Sequence, residues 1–321
     1  MEIGSFIELQ FPKGLEYYSG TADTARLNTG RAAIWHAFRT LKCDTVWLPR
    51  YQCDTVRDFL GRKNVQIKFY RINDRFDPVD LTPAANEAVL LVNYFGVMSP
   101  GRMAHLAEPY RKVIIDNSQA FFSKPLDHCM NVYSCRKFVG VPDGAYVIGD
   151  HAEDLVHEYP RGYSSDTSLF LLQRIEYGCE GKAYESRGKN EHRIDTEDIM
   201  RMSKLTHTIL DGTDYEFIRR RRRDNFVYAA NRFAPLNKID PMLYYDEECV
   251  PMVYPLVVED DGLLGRLQAA KHFQGHWWSY LCDEMPEKSF EHWLSRYVIP
   301  ITIDQRYGPA DIDSIWEIVS A

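Results

Sequence analysis

A chain of 321 residues, 45% hydrophobic and 26% charged, has the composition of an ordinary folded protein, with room for one large core or two unequal domains. A formal net charge of −8 and an isoelectric point of about 5.7 exclude a nonspecific nucleic-acid binder, which needs a basic face to neutralise phosphates. Seven cysteines at irregular spacing, none in a C-x-x-C pair, speak against a disulfide framework or a zinc site and for a reducing compartment.

The opening residues, MEIGSFIELQFPKG, lack the basic-then-apolar order of a secretion signal. No stretch approaches the ~18 apolar residues of a membrane span. The expectation is a cytoplasmic protein without membrane contact. LNTGRAAIWHAFRTL (27–41) predicts a helix capped by Thr29, with Ile34, Phe38 and Leu41 on one face. TVWLP (45–49) predicts a short buried strand, 53–64 a helix, and VQIKFYRI (65–72) an alternating strand. AVLLVNYFG (88–96) is a continuous apolar run, as expected of a strand covered on both faces. A helix is predicted over 102–112, then three short strands: VIID (113–116), NVYS (131–134) and AYVIG (145–149). Alternation of strands and helices implies crossover connections and a mostly parallel sheet. Beyond about 196 the pattern turns helical. Strand character returns at VPMVYPLVV (250–258), and a helix closes the chain with Ile312, Ile315, Trp316 and Val319 on one side. A boundary at 212/213 divides a large domain, 1–212, from a smaller α+β domain, 213–321.

Ligands of open α/β sheets bind at the carboxyl ends of the strands, near helix N-termini. Three features fall at such places. The first is the Thr29-Gly30 helix start, which is either a capped surface helix or an anion site. There is no G-x-G-x-x-G and no G-K-[ST], so the dinucleotide and P-loop fingerprints are missing. The second is VIIDNSQAFFS (113–123). Asp116 ends an apolar strand, where a carboxylate either caps the next turn or meets a cationic partner such as a protonated ring nitrogen. The third is NVYSCRKFVGVPDG (131–144). Lys137 lies three residues past Ser134 and next to Arg136. It is either a solvated charge or an amine made nucleophilic by its surroundings.

An anion site, a strand-end Asp and a Ser-x-x-Lys after the next strand are, in that order, the parts that hold pyridoxal 5′-phosphate. Through NTGRAA, VWLPRYQC, VLLVNYFG, VIIDNSQA and YSCRKFVGVPDGAYVIGD the chain resembles the DegT-type sugar aminotransferase family, within the fold-type-I pyridoxal-phosphate enzymes. Spaced, collinear matches cover about residues 25–150, and RRRRDNF and PITIDQRYG match more loosely. The resemblance implies a large α/β domain with helices on both faces of a mostly parallel sheet, plus a smaller α+β domain. It implies that Gly30 and Arg31 bind the cofactor phosphate through backbone N–H groups and that Ser134 adds a hydroxyl. Asp116 would pair with the pyridine nitrogen and Gln119 with the ring hydroxyl. Lys137 would join the cofactor aldehyde and then shuttle the proton. The residue stacked on the ring comes from the loop after TVWLP. Family spacing points there to Cys53, and aromatic chemistry to Tyr51. The resemblance also implies a homodimer with its cofactor sites at the two-fold interface.

The chain is shorter than most members, and its polar segment 160–200 has no clear counterpart to their substrate and cross-subunit contacts. Arg219–Arg223 reads as a solvated helix face or as an anion site. His272 and His276 have i, i+4 spacing but no accompanying third ligand, so no metal is expected. The expected activity is transfer of an amino group from an amino acid to a keto-sugar nucleotide or similar small carbonyl compound. The alternative is a catalytically silent member that binds without transamination. Lys137 favours the first, since a dehydratase of this family carries histidine there.

Overall fold

A computed structural model describes residues 3–321. Eight strands form its main sheet: β1 (Thr24–Leu27), β2 (Thr45–Pro49), β3 (Gln66–Ile72), β4 (Pro78–Val79), β5 (Glu87–Val92), β6 (Val113–Asn117), β7 (Met130–Ser134) and β8 (Ala145–Ile148). Their spatial order is β1-β8-β7-β6-β5-β2-β3-β4. β3, β2, β5, β6 and β7 are mutually parallel. β8 runs against both β7 and β1, and the short edge strand β4 against β3. Every residue of β5, β6 and β7 is buried. Those strands read as unbroken apolar runs because helices cover both faces of a parallel sheet.

Three helices, α1 (Gly30–Thr40), α2 (Asp54–Arg62) and α3 (Pro100–Ala107), lie in the crossovers. Thr29 caps α1, its hydroxyl accepting from Ala32 N at 3.3 Å. Ser99 caps α3 in the same way, with Pro100 in the first turn, where its missing N–H costs nothing. Then follow α4 (Leu169–Tyr177), α5 (Lys182–Thr196), α6 (Lys204–Asp211) and the long α7 (Tyr215–Phe233). The remainder is β9 (Val253–Val257), α8 (Leu263–Ala269), α9 (Leu281–Glu284), α10 (Phe290–Tyr297), β10 (Val298–Thr302) and α11 (Pro309–Val319). β9 and β10 pair antiparallel, with Pro255 opposite Pro300. Neither proline can donate, so this is a position where the two strands exchange no N–H.

β1, α4, α5 and β10 are among the elements absent from the sequence expectation. β1 is only four residues long and leads almost directly into α1, so the helix pattern masks it. α4 and α5 fold back on each other around Gly178 and Gly181, whose φ values of 79° and 56° supply the reversal. Their polar, weakly periodic sequence concealed them. β10 was hidden by its internal proline. The turn between α6 and α7 contains position 212/213, and one buried cluster includes residues on both sides of it. That cluster joins Ile34, Leu48 and Ile115 to Phe226, Leu256, Ile301 and Ile312. A second, aromatic cluster packs Tyr18, Phe121, Phe122, Tyr133, Tyr146 and Tyr215 with Phe138.

The segment around Glu16, just before β1, is fixed to this aromatic cluster by the Glu16 side chain. Its buried carboxylate pairs with Arg26, accepts from Tyr146 OH at 2.6 Å and lies 3.4 Å from His207 Nδ1. Burial raises the carboxyl, but hydrogen bonds from His207, Tyr146 and Arg26 outweigh it and hold it down at about 2. A carboxyl lowered in the folded state gives stability that is present above its unfolded value and lost as pH falls. Glu16→Gln is therefore expected to lower unfolding stability at pH 7 by about 1–3 kcal/mol. In urea titrations the gap to the parent protein should close between pH 4.5 and about 2; a gap that persists unchanged at pH 2 would contradict this origin.

Candidate active site

Parallel pairing of β6 with β7 sets Asp116 opposite Val132 and Asn117 opposite Tyr133, so both strands end together at the carboxyl edge of the sheet. β7 runs into a 3-10 turn, Cys135–Lys137, and the chain reverses through Pro142–Gly144 into β8. Cys135 N donates to Gly144 O at 3.0 Å and Gly144 N to Asn28 O at 2.7 Å, which closes the reversal. Gly144 has φ 115°, and a Cβ there would lie 2.9 Å from Thr206 Cγ2. Asp143, fully buried beside it, accepts from Ser203 N at 3.2 Å, from Ser203 Oγ at 2.9 Å and from Thr206 Oγ1. The sharp Val-Pro-Asp-Gly turn after Lys137 is thus bolted to the start of α6.

Asp116 is buried, and its Oδ1 accepts from Ser118 N at 2.9 Å. Its Oδ2 has no partner among the described residues. Gln119 Oε1 accepts from Phe95 N at 2.6 Å, which turns its NH2 group the other way. That NH2 group has no partner among the described residues either. The tight Tyr94–Gly96 turn makes this possible. Phe95 and Gly96 have φ of 59° and 76°, and a Cβ on Gly96 would come within 2.1 Å of Gln119 O. One strand end therefore presents a free carboxylate oxygen and a free amide donor, each held by a bond to its other half.

Gly30 begins α1 directly below. A Cβ on Gly30 would lie 3.3 Å from Ser118 Oγ and 4.0 Å from Ser134 Oγ. The N–H groups of Gly30 and Arg31 have no partner among the described residues. Two serine hydroxyls, two backbone donors and the positive end of a helix converge here, which is the composition of an anion cradle. Ser118 was missed in the sequence. Its signal was a second hydroxyl inside DNSQ, and its position depends on how the strand end turns.

The Arg31 side chain turns away and pairs with Asp195 of α5 at 2.7 Å, so only its backbone faces the cradle. Lys137 is exposed, whereas Arg136 beside it pairs with Glu191 of α5 and is not an uncompensated neighbouring charge. Tyr51 is 0% exposed, its ring edge-on to Trp278 at 4.5 Å and tilted against Tyr94 at 5.6 Å. Its hydroxyl, like the Gln52 side-chain nitrogen, is buried and has no partner among the described residues. Cys53 is half-buried at the start of α2, its thiol 3.1 Å from Thr55 Oγ1. The Arg219–Arg223 run is not one face. Arg219 pairs with Glu216, Arg220 is exposed, Arg221 donates to Tyr307 O, Arg223 to Glu247 O, and Arg222 is buried. His276 Nδ1 lies 3.0 Å from Val298 O.

No protein-family model matches the chain, and no curated protein matches it in sequence. Its fold matches solved structures. The sugar aminotransferase CalS13 from Micromonospora echinospora superposes with a TM-score of 0.61 at 14% identity, over 94% of this chain and 87% of that one. AtS13 from Actinomadura melliaura gives a TM-score of 0.61 at 14% identity over 99% of both chains. The E. coli GDP-4-keto-6-deoxy-D-mannose-3-dehydratase with bound hydrated pyridoxal phosphate gives 0.62 at 13% identity, over 92% of this chain and 87% of that one. The chain has the fold of these fold-type-I transferases and dehydratases: a mostly parallel eight-stranded sheet with a small antiparallel second sheet.

The Gly96 turn yields a direct check. A side chain there is disfavoured both by its φ and by the Gln119 carbonyl. Gly96→Ala is expected to cost about 2–4 kcal/mol in denaturant unfolding. A loss within about 0.5 kcal/mol, the range of an ordinary surface substitution, would show that the turn tolerates a Cβ.

Proposed function

We propose that this protein is a pyridoxal-phosphate-dependent aminotransferase of the DegT type, moving an amino group from an amino acid to a keto-sugar nucleotide or a similar small carbonyl compound. The observation that carries the reading is the pair of free groups on the end of β6, Asp116 Oδ2 and the Gln119 NH2, above the Gly30, Ser118 and Ser134 cradle and beside the turn that bears Lys137. These residues fit the cofactor by chemistry: an anion site, an acceptor for a ring N–H, a donor for a ring hydroxyl and an amine. When bound, pyridoxal 5′-phosphate supplies an aldehyde that condenses with amines and a ring that accepts the electron pair left on the substrate carbon.

The chain's own groups then have separate tasks. The N–H groups of Gly30 and Arg31 and the hydroxyls of Ser134 and Ser118 hold the phosphate. Asp116 Oδ2 keeps a proton on the ring nitrogen. The Gln119 amide orients the ring hydroxyl. Lys137 Nζ would be the amine that holds the cofactor's aldehyde and would carry the proton to and from the substrate carbon. Because Tyr51 is enclosed by Tyr94 and Trp278, we assign the half-buried Cys53 as the residue that would face the ring.

A homodimer is part of the same reading. The α4–α5 hairpin leaves Leu169, Leu172, Ile175, Tyr177 and Tyr184 exposed, an apolar surface of the kind that partners cover. Closed two-fold pairing is the commonest arrangement for such a surface. Among the described residues no helix is long and apolar enough to cross a membrane. The seven cysteines are all free, which fits the reducing cytoplasm.

Purified protein supplied with the cofactor should absorb in the near-visible, and borohydride should fix the cofactor to Lys137, read by peptide mass. The same reducible adduct in Lys137→Ala would overturn the assignment. Asp116→Asn should still take up the cofactor yet lose roughly 10²-fold or more in the amino-donor half-reaction, since an electrostatic partner of the transition state is removed. Near-parental turnover would reduce Asp116 to a turn cap. Sedimentation over a dilution series should give a dimer that the cofactor stabilises, because a ligand held by the assembled state shifts the equilibrium toward it. A monomer with full cofactor occupancy would exclude a shared site.

A further inference from the structure

Among the contacts that the C-terminal part of the chain makes with the proposed site, one centres on a buried charge, Arg222 of α7. It is 2% exposed although it carries a charge. Burial pushes its guanidinium down to about 10, and the carboxylate that opposes this, Asp304, is itself bonded to Arg306. Among the described residues no carboxylate hydrogen-bonds to Arg222. Its donors go to neutral acceptors: Nε to Gln305 Oε1 at 3.1 Å, Nη1 to the carbonyls of Met252 at 2.9 Å and Pro251 at 3.4 Å, and Nη2 to the Lys137 carbonyl at 3.4 Å. Its plane lies over the Phe138 ring at 4.5 Å. Stability alone does not call for such a group, because a well-packed apolar side chain does as well or better in place of a buried charge. What an arginine adds is a rigid fork that fixes several acceptors in direction at once.

Those directions lead to two residues of the proposed site. Gln305, held through its Oε1 by Arg222, donates from Nε2 to Phe138 O at 2.9 Å. The carbonyls of Lys137 and Phe138, consecutive along the lysine-bearing turn, are thus gripped by Arg222 and Gln305. On the other side, Met252, whose carbonyl Arg222 holds, donates its N–H to Phe95 O at 2.9 Å. Phe95 N in turn donates to Gln119 Oε1 at 2.6 Å. The Lys137 turn and the Gln119 amide therefore trace back to one guanidinium.

We infer that Arg222 is a positioning residue: with Gln305 it fixes the backbone of the Lys137 turn, and through Met252 and Phe95 it fixes the Gln119 amide, so that the C-terminal segment sets the spacing of the two groups. This rests on the aminotransferase reading for what the spacing serves, but the clamp itself is testable without cofactor.

The informative variant is Gln305→Glu. It keeps the size of the side chain and gives Arg222 a carboxylate, yet removes the donor to Phe138 O. The readouts are the thermal midpoint, amide hydrogen exchange of the 135–139 and 94–97 segments in cofactor-free protein, and the share of added pyridoxal 5′-phosphate that borohydride fixes on Lys137. For Gln305→Glu the midpoint should stay at or above that of the parent protein. Exchange in 135–139 should rise roughly tenfold, about the loss of one hydrogen bond, and the Lys137 share should fall several-fold. Arg222→Met should loosen both segments, and Arg222→Lys should lie between Arg222→Met and the parent. Exchange unchanged in both segments in Arg222→Met, or raised uniformly across the sheet, would overturn the inference. A parent protein that takes no label on Lys137 while the exchange changes appear as expected would overturn the aminotransferase reading and leave the clamp standing.

Discussion

Parallel pairing of β6 and β7 is the constraint on which the candidate site depends. A parallel ladder makes neighbouring strands finish on the same edge, and here it sets the end of β6 beside the end of β7. Asp116 and Ser134 arrive at that edge only because their strands are in this register. A slip of one residue would turn both to the opposite face of the sheet. The register is well specified because every residue of β5, β6 and β7 is buried, so any slip exchanges the packing on both faces at once. The anion cradle follows from the same edge. α1 starts there, and the absence of a side chain on Gly30 lets Ser118 and Ser134 approach the first N–H groups of the helix.

The close approaches at this edge set the glycine positions. At Gly96 a Cβ would meet the Gln119 carbonyl, and at Gly144 it would meet Thr206 and Cys135. The first turn directs the Gln119 amide and the second ends the lysine-bearing segment. Both have positive φ, so both conformation and space exclude a side chain there. Backbone hydrogen bonds, the buried Asp143 carboxylate and steric exclusion thus hold the loops around the candidate site, which leaves Asp116 Oδ2 and the Gln119 NH2 free for a ligand.

How much of this was legible in the sequence varied with the range of the interactions. β2 was read to the residue, because a strand buried in a parallel sheet appears as an apolar run between turn signals. Asp116, Gln119, Ser134 and Lys137 could be named because they sit within a few residues of a strand end. β1 and β10 were not legible, one for its brevity and the other for its proline. The α4–α5 hairpin was not legible either, because its apolar residues face outward and leave no regular core stripe. Arg222 lay in a run that looked like solvated charge. Its burial depends on the rotation of α7 and on acceptors as distant as Lys137 and Gln305, which no local pattern contains. The Arg31 side chain was out of reach for the same reason, since its partner Asp195 is 164 residues away.

The shared core gives the C-terminal part a role beyond covering the sheet. Phe226, Leu256, Ile301 and Ile312 belong to the same buried cluster as Ile115 and Leu48. A segment packed in this way does not rotate freely against the sheet, because doing so would open apolar contacts at about 25 cal/mol for each Å² exposed. Its contacts to the carboxyl edge therefore keep fixed distances. Arg222 and Gln305 reach the Lys137 turn, Met252 reaches Phe95, and Tyr280 OH reaches the Gln52 carbonyl at 2.7 Å. Four separate segments of the C-terminal part thus hold three loops at the ends of β2, β5 and β7. Hydrophobic packing supplies the stiffness and these few polar contacts supply the direction, so the geometry of the edge is a property of the whole chain and not of the sheet alone.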